Sequence, residues 1–241
     1  GVGFGQTDLA RYLPAIRPFA LTGALTGALS LLSSCDLSVH SSNRREVGRL
    51  THTEPSAAKL STVQAQVSAG SVKLTASADA DVHLEVAVWL RTDRPVTDFK
   101  PDIAAHLAIT QKDGTLAIAD AHAAAADSND WELRLMVKVP AGLDLQATVS
   151  SGQVEIAVPQ TNDVRAEVAN GAIAIKVRDL AGACRAKVST GQIVIAIADQ
   201  GPAGGLDAEV GTGAVGVTLP AASCGSFELD VETGGIDADA R

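Results

Sequence analysis

Five histidines, three cysteines and 28 carboxylates are the side chains of this 241-residue chain suited to nucleophilic, acid–base or metal chemistry. Hydrolytic catalysis needs a nucleophile beside a base, or two carboxylates in a cleft, and metal sites need ligands at short fixed spacings. His40, His52, His83, His106 and His122 all precede residue 140. They read as solvated side chains, with His40 and His52 in a polar tether and His83 at an outward or loop-edge position. The chain contains no Cys-x-x-Cys, no His-Glu-x-x-His and no acidic glycine-rich calcium loop. Glu228, Asp230, Glu232, Asp237 and Asp239 would attract cations weakly. They read as a solvated face and a charged cap that discourages end-to-end strand addition. No catalytic residue, metal or cofactor is expected. The net charge of -9, with no cluster of Lys and Arg, argues against a nucleic-acid partner.

The remaining chemistry is thiol chemistry, at Cys35, Cys184 and Cys224. Ahead of Cys35, Arg11 and Arg17 precede the apolar stretch Ala20 to Leu32. Those thirteen residues would span roughly 20 Å as a helix, short of a hydrocarbon core of about 30 Å. A basic flank, a short apolar segment and small residues describe an export signal. Leu32-Ser33-Ser34-Cys35 resembles the lipobox of bacterial lipoproteins. That resemblance implies that Cys35 is lipidated and becomes the mature N-terminus. Residues 1–34 are then a signal peptide, and 35–58, polar and without apolar periodicity, a flexible tether to a body of residues 59–241. By the same resemblance Asp36 holds a position that can influence membrane sorting.

Elements able to position any site come from self-similarity in the body. On Gly70, Gly152, Gly171, Gly191, Gly213 and Gly234, the residues three before are all Val: Val67, Val149, Val168, Val188, Val210 and Val231. Five before stand Ala65, Ala147, Ala166, Ala186, Ala208 and Leu229, and seven before stand Val63, Leu145, Val164, Cys184, Leu206 and Phe227. Two after come Val72, Val154, Ile173, Ile193, Val215 and Ile236. Polar or charged residues fill most positions between. This is the alternation of a strand with one buried face, and each unit reads as strand, Xaa-Gly corner, strand. The last five glycines are 19, 20, 22 and 21 residues apart.

Two all-β architectures satisfy the pattern. In a parallel β-solenoid each unit of about 20 residues is one coil, stacked on the next at about 4.8 Å. In an antiparallel meander or sandwich each unit is a hairpin, with Asn170-Gly171 a good turn. Stacking of like on like favours the solenoid, because a meander requires only hydrophobic character where Val recurs. In a solenoid Val188 and Ile193 point inward and Lys187 and Gln192 outward. Cys184 and Cys224 then lie two coils apart, roughly 9 to 10 Å by strand spacing, beyond the reach of about 7 Å of a disulfide. From 59 to 140 the pattern is less regular. Strands are expected at 81–91 and 131–140, with an Asp113-Gly114 hairpin between apolar runs. These should begin the same sheet, with Gly70 in an early unit followed by an insertion.

Val139-Pro140-Ala141-Gly142-Leu143, followed by Thr148-Val149-Ser150-Ser151-Gly152-Gln153-Val154, is similar to the bacterial putative adhesin family, which includes LiaG-like proteins. The likeness spans about residues 60 to 241. It implies a right-handed β-helical fold, a cell-envelope location and no established catalytic residues. The expected function is that of a membrane-anchored envelope module, structural or binding, serving adhesion or envelope stress through an envelope protein or glycan. Arg165, Lys187 and Glu209 mark the candidate outward binding face. The rival is an enzyme acting on envelope polysaccharide, since polysaccharide lyases share solenoid architecture. Sugar sites, however, favour aromatic platforms, and Phe227 is the one aromatic residue after 145. A crystal-binding ladder of Thr190, Thr212 and Thr233 is better explained by corner positions.

Overall fold

The structure, a computed structural model, describes residues 43–55, 60–123, 130–221, 223 and 225–240. The expected signal peptide, Cys35 and Cys224 lie outside the described residues. Alternating apolar and polar residues produce eleven strands: β1 Arg44–Glu54, β2 Thr62–Ala76, β3 Val82–Arg91, β4 Leu107–Lys112, β5 Thr115–Asp120, β6 Trp131–Val139, β7 Asp144–Thr161, β8 Val164–Leu180, β9 Cys184–Gln200, β10 Leu206–Leu219 and β11 Phe227–Ala240. Two short 3-10 turns, Val96–Asp98 and Ile103–Ala105, lie between β3 and β4. The strands form one open mixed sheet, β1-β3-β6-β2-β7-β8-β9-β10-β11, with β5 against β2 and β4 against β5.

Six of these strands stack in parallel register on the glycines. Gly70 lies opposite Gly152, Gly152 opposite Gly171, and the series continues through Gly191, Gly213 and Gly234. Each strand runs through its glycine and pairs in parallel on both sides of it, so the repeats are not hairpins and Asn170-Gly171 is not a chain reversal. A flat strand would put Val188 and Ile193, five positions apart, on opposite faces. Both are buried, so the chain turns at the glycine between them. The glycine φ values, +140° to +144° from Gly152 onward, match such a turn. Stacking adds a second demand: a Cβ at Gly191 would overlap the carbonyl oxygen of Gly171, and the same holds at each step from Gly152 to Gly234. Only glycine meets both requirements.

The N-terminal portion departs from this arrangement. β1 pairs antiparallel with β3, β3 with β6, and β4 with β5. A body that is parallel throughout, as the solenoid reading has it, therefore does not describe residues 44–139. β4 and β5 form the expected hairpin, with Asp113 and Gly114 at φ 51° and 79°. Residues 44–54, assigned to the tether from their polar composition, instead form β1, in which Val47 and Leu50 pack on the core. β2 joins the two portions. Its first half lies between β5 and β7, its second between β6 and β7. One hydrophobic cluster runs from Val63 to Val217, and each large aliphatic side chain fully buried in it contributes about 1.5 to 3 kcal/mol.

Candidate functional site

Alternation that buries Val164, Ala166 and Val168 necessarily turns Arg165 and Glu167 outward, and register multiplies them into columns. One column is Arg165, Arg185 and Asp207, on β8, β9 and β10; the next is Glu167, Lys187 and Glu209. The three residues expected to form a binding face therefore share one surface. They are not equivalent on it, since Arg165 stands in the first column and Lys187 and Glu209 in the second. Lys187 Nζ donates to both Glu209 carboxylate oxygens, at 2.7 and 2.8 Å. That bond is the chief reason the Lys187 ammonium is held above its ordinary pKa. Arg165 turns along its own strand to Glu167 Oε1, with Nε at 2.9 Å and Nη2 at 2.6 Å. Around these pairs lies a shallow groove of about 270 Å³ lined by Arg165, Glu167, Arg185, Lys187, Asp207 and Glu209. Three cations and three anions at strand spacing offer several charge-assisted hydrogen bonds to a partner of alternating charge.

The buried counterparts are chemically quiet. Cys184 is fully buried, and desolvation pushes its thiol up to about 12. Val188 and Ile193 are likewise buried, whereas Lys187 and Gln192 are exposed, as expected from the alternation.

A second polar cluster lies in the N-terminal portion, and it corrects the expectation that the histidines are solvated. His106 is only 1% exposed. Its Nε2 faces the Lys100 carbonyl at 2.9 Å, and its Nδ1 lies 2.9 Å from His122 Nε2. Phe99 stacks on His106 with ring centroids 5.4 Å apart, and Trp131 stacks on His122 at 4.4 Å. If Nε2 carries the His106 proton, Nδ1 accepts from His122 Nε2–H and the His106 ring is neutral. Burial lowers the pKa of His106, the dominant effect; the hydrogen bond to Lys100 opposes it, His122 adds to it, and Asp120 and Asp102 oppose it. Asp120 ties this cluster to the repeat, accepting from the backbone N–H groups of His122 at 2.8 Å and Ser68 at 3.2 Å.

Nearby, buried Asp130 is held by Arg91 and Arg94, and Glu132 by Arg44 and Arg134 at 3.1 Å each. Arg134 also lies over the Trp89 ring, 4.1 Å from its centroid. His52 is not in a tether but in β1, 3.0 Å from Glu54. His83, half-buried, pairs with Asp79 at 2.9 Å, and this bond is the main cause of the lowered Asp79 pKa. The sequence signal for this cluster was the confinement of both tryptophans, Trp89 and Trp131, to this portion. No periodicity links His106 to His122, so their meeting was invisible before folding.

Among the described residues, no group of three or more His, Cys, Asp or Glu is disposed to hold a metal ion, and no helix is long and apolar enough to cross a membrane.

No protein-family model and no curated protein matches the chain. Among solved structures it is similar to one described as a putative cell adhesion protein from Clostridium sporogenes, at 10% identity and a TM-score of 0.46, covering 80% of this chain and 100% of the other. It is also similar to one described as a putative adhesin from Bacteroides fragilis, at 12% identity and a TM-score of 0.34, covering 80% and 97%. A third, described as a putative lipid binding protein from Parabacteroides distasonis, has 12% identity and a TM-score of 0.31, covering 80% and 97%. These are likenesses at low identity, and what those proteins bind belongs to them alone.

Proposed function

We propose that the protein is a cell-envelope lipoprotein, anchored through Cys35, whose repetitive β-domain is a non-catalytic structural or binding module. In this reading the parallel stack forms the coils of a right-handed solenoid, with β1, β3 and β6 closing its first end. The observation that carries the binding role is the pair of charged columns across β8, β9 and β10. They hold Arg165, Lys187 and Glu209 at fixed strand spacing on a packed support. A partner with charges at matching intervals, an envelope protein or a charged glycan, would meet an already ordered surface and so lose little entropy on docking.

Reversing the three charges together, as Arg165→Glu, Lys187→Glu and Glu209→Lys, tests it. The purified variant should keep its melting temperature and lose attachment to isolated envelope fractions. Unchanged attachment would sink the binding role of this face. Turnover of envelope glycan by the unmodified protein, abolished by Glu167→Gln or Glu209→Gln, would instead establish an enzyme. The anchor has its own test: Cys35→Ser should move the protein from the detergent phase to the aqueous phase, and equal partition would refute lipidation.

A further inference from the structure

The charged columns change character as they approach β11. Between β9 and β10, Arg185 lies opposite Asp207 and Lys187 opposite Glu209, so base meets acid at both positions. At the next step Asp207 lies opposite Glu228 and Glu209 opposite Asp230, so acid meets acid. β11 carries five carboxylates and no Lys or Arg. Like charges directly across from one another destabilise strand pairing. The column would be balanced by bases on the far side of β11, where no strand pairs among the described residues.

The apolar columns reach the same edge unfinished. Leu206 and Val215 of β10 are buried, but their register partners in β11, Phe227 and Ile236, are 43% and 50% exposed. Leu229 and Val231 are only partly covered. Among the described residues this edge is therefore not covered by a further strand, and it presents apolar side chains at the spacing of the interior strands with carboxylates between them.

We propose that the outer edge of β11 is a docking site for an extended cationic segment of another protein, which adds as one more parallel strand. β9 shows the pattern that such a segment must carry. Arg185 and Lys187, two apart, lie opposite two acids of β10, Asp207 and Glu209, and on its other side Gly191 passes over Gly171 of β8, where a side chain would strike a carbonyl oxygen. The occupant accordingly has a basic residue, a second two positions on, and a glycine four beyond that, with apolar residues alternating between. Main-chain hydrogen bonds supply affinity in this mode and the alternate side chains supply selectivity. A second copy of this chain fits poorly. Two β11 edges would set acid against acid, and on the opposite edge strand Arg44 and Arg49 are already paired, with Glu132 and with Glu46 and Glu85, while Arg45 is turned to the Arg94 carbonyl. Acids on this edge thus deter self-addition while favouring a basic strand.

The probe is a fluorescein-labelled peptide of residues 184–195 carrying Cys184→Val, titrated into the full chain and followed by anisotropy. Saturable 1:1 binding is expected, weakening with salt. Arg185→Glu with Lys187→Glu in the peptide, and separately Gly191→Val, should each weaken it at least about tenfold. Glu228→Lys with Asp230→Lys in the protein, at exposed positions that leave the melting temperature in place, should reverse the preference toward the acidic peptide. Equal binding of basic and acidic peptides, indifference to the β11 reversal, or no saturable binding would overturn the proposal. So would concentration-dependent self-association abolished by that reversal, which would make a second copy the occupant.

Discussion

The two portions of the sheet reach stability by different means. From β7 to β11 the core is built of small aliphatic side chains repeated in register, and the charged groups lie outside, with Thr161 the buried polar side chain among the described residues. From β1 to β6 the strands are mostly antiparallel, both tryptophans are present, and Asp120, Asp130, Glu132 and His106 are buried among partners. In the first portion each position is held by its like on the neighbouring strand. In the second, each buried polar group depends on one or two specific partners from distant sequence. Repetition tolerates change at an outward position and punishes it at a column, whereas the paired region ties its stability to ionisation.

The largest effect is expected from Val188→Asp, which places an unpartnered charge between Val168 and Val210. A loss of about 4 kcal/mol or more is expected, read as a fall in the urea midpoint or failure to fold. A near-neutral result would mean that the columns do not share a dry core. Gly191→Val should cost about 3 kcal/mol, through the positive φ and the overlap with Gly171. If Gly142→Val, where a Cβ would meet nothing within 4 Å, costs as much, stacking is not the reason for glycine in the column.

Acid separates the portions. Burial lowers the pKa of His106, so the folded state disfavours the protonated ring. Stability from this source is complete above the ordinary histidine value of 6.5 and declines as pH falls below it. Melting temperature should drop with acid in that window, and His106→Phe should flatten the drop. A variant that keeps the full decline would place the acid sensitivity elsewhere. Cys184, its thiol pushed up to about 12, should resist alkylation until the chain unfolds. Rapid labelling of the native protein would show that the stack opens locally. The smallest effect belongs to Lys187→Glu, which should leave the urea midpoint nearly where it is, since an exposed pair contributes little. A larger loss would give the outer columns a structural role.

The repeat was legible because its rule is local: alternation on either side of a glycine, with Val three before it. Parallel pairing followed from the identity of those residues, and the candidate face from the same parity. The rest was not legible for physical reasons. β1 resembles a tether because Arg44, Arg49 and His52 are polar, and its order comes from pairing with β3 and from Val47 and Leu50 reaching the core. The His106–His122 contact joins residues sixteen apart through a loop and hairpin with no periodic signature. Carboxylates such as Asp130 and Glu132 look solvated until the arginines that neutralise them, from β1, β3 and the turn after it, are brought alongside.

The column of glycines also governs how this chain can lengthen or shorten over generations. The segments joining successive stacked strands are 162–163, 181–183, 201–205 and 220–226, so much of the difference in repeat length falls between the strands, while the strands themselves differ only toward their ends, as at the register shift after Val177 of β8. Excising residues 164–183 would leave β7 facing β9 with Gly152 over Gly191, the same chemistry meeting at the same height. Removing a single residue from β8 would instead throw every later side chain onto the wrong face. Gain and loss in this part of the molecule should therefore come in whole storeys, with the glycine as the mark by which each floor is levelled.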